Sequence, residues 1–151
     1  MSTVNTIHVK SIRDIQEEIV TEFEVYDDWM DKYNYLIEIS KNLAMINPKL
    51  KVSENLINGC QSRVWLNAEY DQGRIHFSAD SDAIITKGII ALLVRVLSDR
   101  TPEEIMNSDL FFIDQIGLRQ NLSPTRSNGL LSMIKQMKLY ALAYHTKYSE
   151  K

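Results

Sequence analysis

Hydrophobic positions recur along the chain in two rhythms, and the change from one to the other divides it. Ile12, Ile15, Ile19, Val20 and Phe23 fall at helical spacing, with Glu17, Glu18, Glu22 and Glu24 between them. Ser11 followed by Asp14 marks the start of this helix. Asp27-Asp28 is placed to cap a second helix whose apolar stripe is Trp29, Tyr33, Leu36, Ile37 and Leu43, and Asn47-Pro48 ends it. A loop and a short extended piece, residues 55–57, lead to Gly59-Cys60. The rhythm then becomes two: Val64, Leu66, Ala68 and Tyr70 alternate with Arg63, Trp65, Asn67 and Glu69. Asp71-Gln72-Gly73 is a hairpin turn, after which Ile75, Phe77 and Ala79 alternate again. Asp80-Ser81-Asp82 is expected to cap a long apolar helix running to about Leu97, with Gly88 inside it where another backbone packs closely.

Thr101-Pro102-Glu103-Glu104 opens a further helix, and Ser108 one more through Ile116, stopped by Gly117. Ser123-Pro124 repeats the cap-then-proline signal for a last helix to about Tyr144. Helices dominate around one small antiparallel sheet of about three strands, so the class is α+β. The hairpin is too short for the crossover a parallel pair needs. The 151 residues are expected to form one domain, residues 1–10 being a loosely held extension.

Charge narrows the partners. A net charge of −3 gives no general attraction to nucleic acid or to an anionic membrane surface. The most apolar stretch, residues 84–97, is interrupted by Thr86, Lys87, Gly88 and Arg95 and is too short to span a bilayer. The first residues lack the apolar core of a signal peptide, so a cytoplasmic location, where a thiol stays reduced, is expected. The acidic run over the first two helices reads as their solvated side rather than as a docking face for a basic partner.

The candidate chemistry rests on Asn58-Gly59-Cys60-Gln61-Ser62, which holds the chain's one cysteine. One cysteine makes no internal disulfide and does not by itself hold zinc or an iron–sulfur cluster. It does serve as a nucleophile, because a thiolate needs only exposure and nearby positive charge or N–H groups. A free cysteine is also commonly a small buried hydrophobe. Glycine before it and Gln-Ser after it describe a polar turn instead, which favours the reactive role. His8, His76 and His145 lack metal spacing, and no Ser-His-Asp set, phosphate loop or paired carboxylate appears, so no metal or cofactor is expected.

Two charged residues accompany it. Asp82 reads first as a helix cap, with a role facing Cys60 as the functional alternative. Arg126 sits in the first turn of the last helix, where the macrodipole disfavours a cation, so it is either a tolerated surface arginine or a group that holds an anion. Gly129 nearby implies a close neighbour. Trp65 is expected to pack under the cysteine turn as core, and Arg63 to be solvated.

Gly59-Cys60-Gln61-Ser62-x-Val64-Trp65, then Asp80-Ser81-Asp82-Ala83 leading into Lys87-Gly88, then residues 122–130 (Leu-Ser-Pro-Thr-Arg-Ser-Asn-Gly-Leu), together resemble the SufE family of sulfur acceptors. The acidic helix pair over residues 15–39 is similar to that family's N-terminal region, so the likeness covers roughly residues 12–143. Arg63 stands where many members carry glutamine, and Thr125 where serine is common. The resemblance implies a helix-flanked antiparallel sheet of the SufE/IscU kind. It implies that Cys60 accepts sulfur from a pyridoxal-phosphate cysteine desulfurase (SufS-like), carries it as a persulfide to an Fe–S scaffold complex (SufBCD-like), and stimulates the desulfurase. It implies that Asp82 and Arg126 lie near Cys60, with Gly59, Gln61 and Ser62 forming the persulfide loop. The chain would thus be a covalent partner of an enzyme rather than a free-standing one. A non-covalent activator of a desulfurase is the alternative, and a stand-alone thiol hydrolase would need a histidine beside Cys60. A homodimer stays open.

Overall fold

A computed structural model describes residues 10–148; the extension expected over residues 1–10 lies, apart from Lys10, outside the described residues. Helix α1 (Ile12–Glu24) opens with a full capping box, in which the Asp14 N–H donates to Ser11 Oγ at 3.0 Å and the Ser11 N–H donates to Asp14 at 3.2 Å. It buries Ile12, Ile19 and Phe23, and also Gln16, whose amide donates to the Asp109 carbonyl and accepts from the Phe112 N–H. A buried amide satisfied at both ends ties α1 to a segment nearly a hundred residues away.

Asp28 caps α2 (Trp29–Ser40), accepting from the Asp31 N–H at 2.9 Å. The helix stops at Ser40, well before Pro48, and so leaves Leu43 outside it. Ser40 turns its hydroxyl onto the Ile37 carbonyl at 2.6 Å, a local bond that competes with continuing the helix. Asn47-Pro48 instead opens a short 3-10 turn, Pro48–Leu50.

The sheet has two strands, β1 (Val64–Asp71) and β2 (Arg74–Ser81), paired antiparallel from Val64↔Ser81 to Asp71↔Arg74. Gln72 and Gly73, both with positive φ, make the tight turn between them. The expected third strand shrinks to single bridges, Leu56↔Trp65 on one side and Ile75↔Arg100 on the other. Residues 53–55 form a 3-10 turn and Gly59 reverses the chain soon after, so too few extended residues remain for a ladder. Val64, Leu66 and Ala68 are buried as the alternation predicts, and Trp65 on the other face is buried too, with the Lys51 ammonium 4.6 Å from its ring centroid. Arg63 is exposed, as expected.

Helix α3 (Ile84–Leu97) is the buried spine, packed against β2 and α2. Its start corrects the expected cap. The N-cap is Ala83, which has no side chain to offer, and Asp80-Ser81-Asp82 do other work. Asp80, within β2 opposite Trp65, pairs with Lys51 and Lys87 at 3.1 and 3.4 Å. Ser81 accepts from the Ala83 N–H, and Asp82 from the Arg63 N–H at 3.0 Å. Gly88 meets the backbone it anticipates: a Cβ there would lie 2.5 Å from the Leu36 carbonyl oxygen of α2.

Thr101 and Glu104 form a second capping box at α4 (Pro102–Met106). Ser108 does not open a helix. Its hydroxyl donates to the Ile105 carbonyl at 2.7 Å, finishing α4, and α5 (Phe112–Gln115) begins only where Gln16 receives the Phe112 N–H. Gly117, at φ +76°, stops α5 as predicted, and the chain winds again into α6 (Leu118–Asn121), which no pattern announced. Helix α7 (Pro124–Tyr148) runs beyond the expected Tyr144, because Tyr144 and Tyr148 both stack on Tyr70, at 5.3 and 4.2 Å between ring centroids.

Candidate functional site

Cys60 lies in the loop between Ile57, whose N–H donates to the Val64 carbonyl, and the start of β1. Gly59 adopts φ +93°, a backbone region L side chains rarely enter, and a Cβ on it would meet Ser132 Oγ at 2.5 Å. The loop is therefore seated directly on α7. One turn earlier on that helix is Gly129, where an added Cβ would lie 3.5 Å from Cys60 Sγ. This is the close neighbour that a glycine inside a helix implied. The Cys60 thiol points at the Gly129 carbonyl, with Sγ 3.7 Å from the oxygen, a weak S–H bond.

Cys60 is half-buried, at the edge of a cavity of about 350 Å³. Gln61 and Ser62 from the loop, Thr86 and Ile89 from α3, and Met133 from α7 share its wall. Burial pushes the thiol up from its ordinary range, because the charged thiolate loses hydration there. The resting group is thus the neutral thiol at pH 7. Alkylation of Cys60 by iodoacetamide is expected to rise with pH along a curve whose midpoint lies above that of a free cysteine. A midpoint below it would mean that a positive neighbour governs the thiol.

Arg126 and Asp82 come out differently. Arg126 lines the same cavity, at the start of α7 where Ser123 Oγ accepts its N–H, and its guanidinium donates to the Tyr33 hydroxyl at 3.2 Å. Asp82 is not in the cavity wall; it fixes the start of β1 three residues beyond Cys60 through the Arg63 N–H. Asp82→Ala is expected to speed hydrogen exchange at Arg63 while leaving the Leu66 and Ala68 amides, deep in the sheet, protected. Equal exchange at Arg63 in both proteins would show that the bond is not what holds this end of the strand.

Sequence patterns did not single out Tyr33 as the partner of Arg126, Ser132 as the seat of Gly59, or Met133 as part of the cavity wall. Thr86 left a faint signal as a hydroxyl inside the most apolar run of the chain. His76 and His145 lie beside Asp99 and Glu103, away from the cavity.

The model of the family described as "SufE: Fe-S metabolism associated domain" matches residues 17–141. The chain belongs to the SufE family. Its Arabidopsis thaliana relative, "SufE-like protein 1, chloroplastic/mitochondrial", is 42% identical over 135 residues, which cover 89% of this chain and 36% of the relative. The chain thus spans about a third of the length of that relative. A solution structure of a hypothetical protein from Thermus thermophilus has the same fold, with a TM-score of 0.72 at 17% identity, covering 87% of this chain and 96% of that one. The α+β architecture is therefore that of a known fold, and the family's description places this SufE chain in Fe–S metabolism. Among the described residues, no helix is long and apolar enough to cross a membrane.

Proposed function

We propose that this chain, folded as a single SufE domain, is a sulfur carrier that takes persulfide sulfur from a pyridoxal-phosphate cysteine desulfurase onto Cys60. It hands that sulfur to an Fe–S scaffold complex, and stimulates the desulfurase by clearing the desulfurase's own cysteine. The observation that carries this reading is the seat of the one thiol in a SufE-family chain: a glycine-made loop holds it at a cavity of about 350 Å³, against a helix that has no side chain at Gly129.

The step balances without an outside oxidant. Cys60 loses its proton, and its thiolate attacks the terminal sulfur of the desulfurase persulfide. A new S–S bond forms on Cys60, the old one breaks, and the desulfurase cysteine leaves as a thiolate that takes up a proton. Thiol and persulfide merely change places, so the exchange is near neutral in energy. Protection is the harder task, since an exposed persulfide is reduced or oxidised. The cavity supplies it, Gln61 and Ser62 shape the loop, and Arg126 in the cavity wall offers a cation to the sulfur anion. A reducing compartment such as the cytoplasm suits the free thiol.

The resting bond to Gly129 favours the neutral thiol, so transfer requires the loop to lift off α7 when the partner docks. Intact-protein mass after mixing with a cysteine desulfurase and L-cysteine, without reductant, tests the reading. A gain of one sulfur atom is expected. Faster cysteine turnover with no gain would replace the carrier by a docking activator.

A further inference from the structure

Helix α7 differs from the rest of the chain in charge. In a protein of net charge −3 it carries Arg126, Lys135, Lys138 and Lys147, and no aspartate or glutamate over 25 residues. Lys51 and Lys87, by contrast, pair with Asp80, and Arg95 with Glu18 and Glu22. Among the described residues, no carboxylate pairs with any of the four cations on α7. Lys138 donates to the Ser108 carbonyl and Arg126 to the Tyr33 hydroxyl, both neutral acceptors.

The helix is also apolar on two sides. Leu130, Met133, Met137 and Ala141 are buried in the core. Leu131, Leu139 and Leu142 lie on the opposite side and are 46–48% exposed. Lys135, four residues from both Leu131 and Leu139, continues their line. A surface helix ordinarily turns a polar face outward. One exposed leucine needs no account, but three on one helical line, with the lysine stem between them, make an apolar stripe flanked by positive charge.

This stripe borders the cysteine loop. Leu131 is followed by Ser132, whose Oγ is the atom that a Cβ on Gly59 would meet, and Gly129 of the same turn lies against Cys60. From Leu131 to Leu142 the stripe runs about 16 Å along the helix axis. A specific protein interface covers about 800 Å² of each partner, a patch about 30 Å across, so one footprint takes in loop and stripe together. The unpaired cations decide what fits. They favour carboxylates at the edge of the covering surface, and they set like charges against each other if a second copy is laid on the same face.

We propose that the outward face of α7, built from Leu131, Lys135, Leu139 and Leu142, is the docking surface for the sulfur-donating desulfurase, which meets it with an apolar surface rimmed by carboxylates. The proposal rests on the carrier reading above and adds where the partner sits. The leucines supply affinity by leaving water, and the cations steer the approach and fix its orientation.

The test is the Kd of the unmodified chain for a cysteine desulfurase, measured by isothermal titration calorimetry without cysteine, so that no sulfur moves. Lys135→Glu is expected to weaken binding about tenfold, and Lys135→Arg to retain it. Leu139→Ala combined with Leu142→Ala is also expected to cost about tenfold. Alanine is the better helix former and both sites are exposed, so the fold is expected to survive, which circular dichroism checks. Raising sodium chloride from about 50 to about 300 mM is expected to weaken the unmodified chain more than Lys135→Glu. No binding by the unmodified chain, or an unchanged Kd in either Lys135→Glu or the leucine variant, would overturn the docking surface. If those variants instead lose only self-association, or only binding to phosphatidylglycerol vesicles, the face belongs to a second copy or to a membrane and the proposal falls. A chain that gains sulfur but binds equally well with the face altered refutes this proposal alone. A chain that binds through the face but gains no sulfur refutes only the carrier reading.

Discussion

Cys60→Ser is expected to lose the whole of the sulfur gain and nearly all stimulation of a cysteine desulfurase, while melting close to the unsubstituted chain. Serine is almost isosteric with cysteine, and the weak bond from Sγ to the Gly129 carbonyl, 3.7 Å long, is one a hydroxyl is able to make as well. Folding is thus largely preserved, and what disappears is the atom able to form an S–S bond. No other cysteine exists in the chain to take over. Intact mass reads the covalent part, and alanine production by the desulfurase reads the stimulation. If stimulation survives in Cys60→Ser, the chain activates by docking, and covalent carriage is not its means. If sulfur is still gained, the adduct is not on Cys60 and the loop is not the acceptor.

The largest effect on stability is expected from Gly88→Ala. Alanine is the better helix former by up to about 1 kcal/mol, so propensity alone predicts a gain. Packing decides the opposite. The new Cβ would lie 2.5 Å from the Leu36 carbonyl oxygen and 3.1 Å from its carbon. These are backbone atoms of α2, with no rotamer to swing aside, and Leu36 is fully buried. The helices must separate along their contact, and overpacking of this kind costs about 1–3 kcal/mol or more. A net loss of about 2 kcal/mol corresponds to a fall in Tm of about 4–8 °C for a chain of this size. Thermal unfolding followed by circular dichroism checks it. An unchanged or higher Tm would mean that α2 and α3 lie farther apart than the structure places them.

Much of the fold is legible in the sequence because its cause is local. Ser11 with Asp14, Asp28 with Asp31, and Thr101 with Glu104 each lie within one helical turn of the amides they satisfy, so the signal and the bond share a few residues. The hairpin is likewise written in its alternation and in Gly73. Ser108 and the Asp80–Asp82 segment mislead for the converse reason. Their side chains have the same capping chemistry, but other partners claim them: Lys51 pairs with Asp80 and Arg63 donates to Asp82 from nineteen residues away, while the Ser108 hydroxyl turns back onto the Ile105 carbonyl and Gln16 is what starts α5. Leu43 lies at helical spacing, yet Ser40 breaks the helix before reaching it.

The sequence by itself determined the class, the helix starts with local caps, the hairpin, and the single thiol on a glycine turn, since each depends on residues within a turn or two of one another. Only the tertiary structure decided what surrounds that thiol. Gly129, sixty-nine residues away, lies against Cys60; Tyr33, ninety-three residues from Arg126, accepts its guanidinium; and Asp82 fixes a strand instead of capping a helix. The cavity wall joins the cysteine loop to the starts of α3 and α7, which are remote from it along the chain. Local patterns specify which groups exist, and close packing of α3 and α7 against the loop fixes which of them meet.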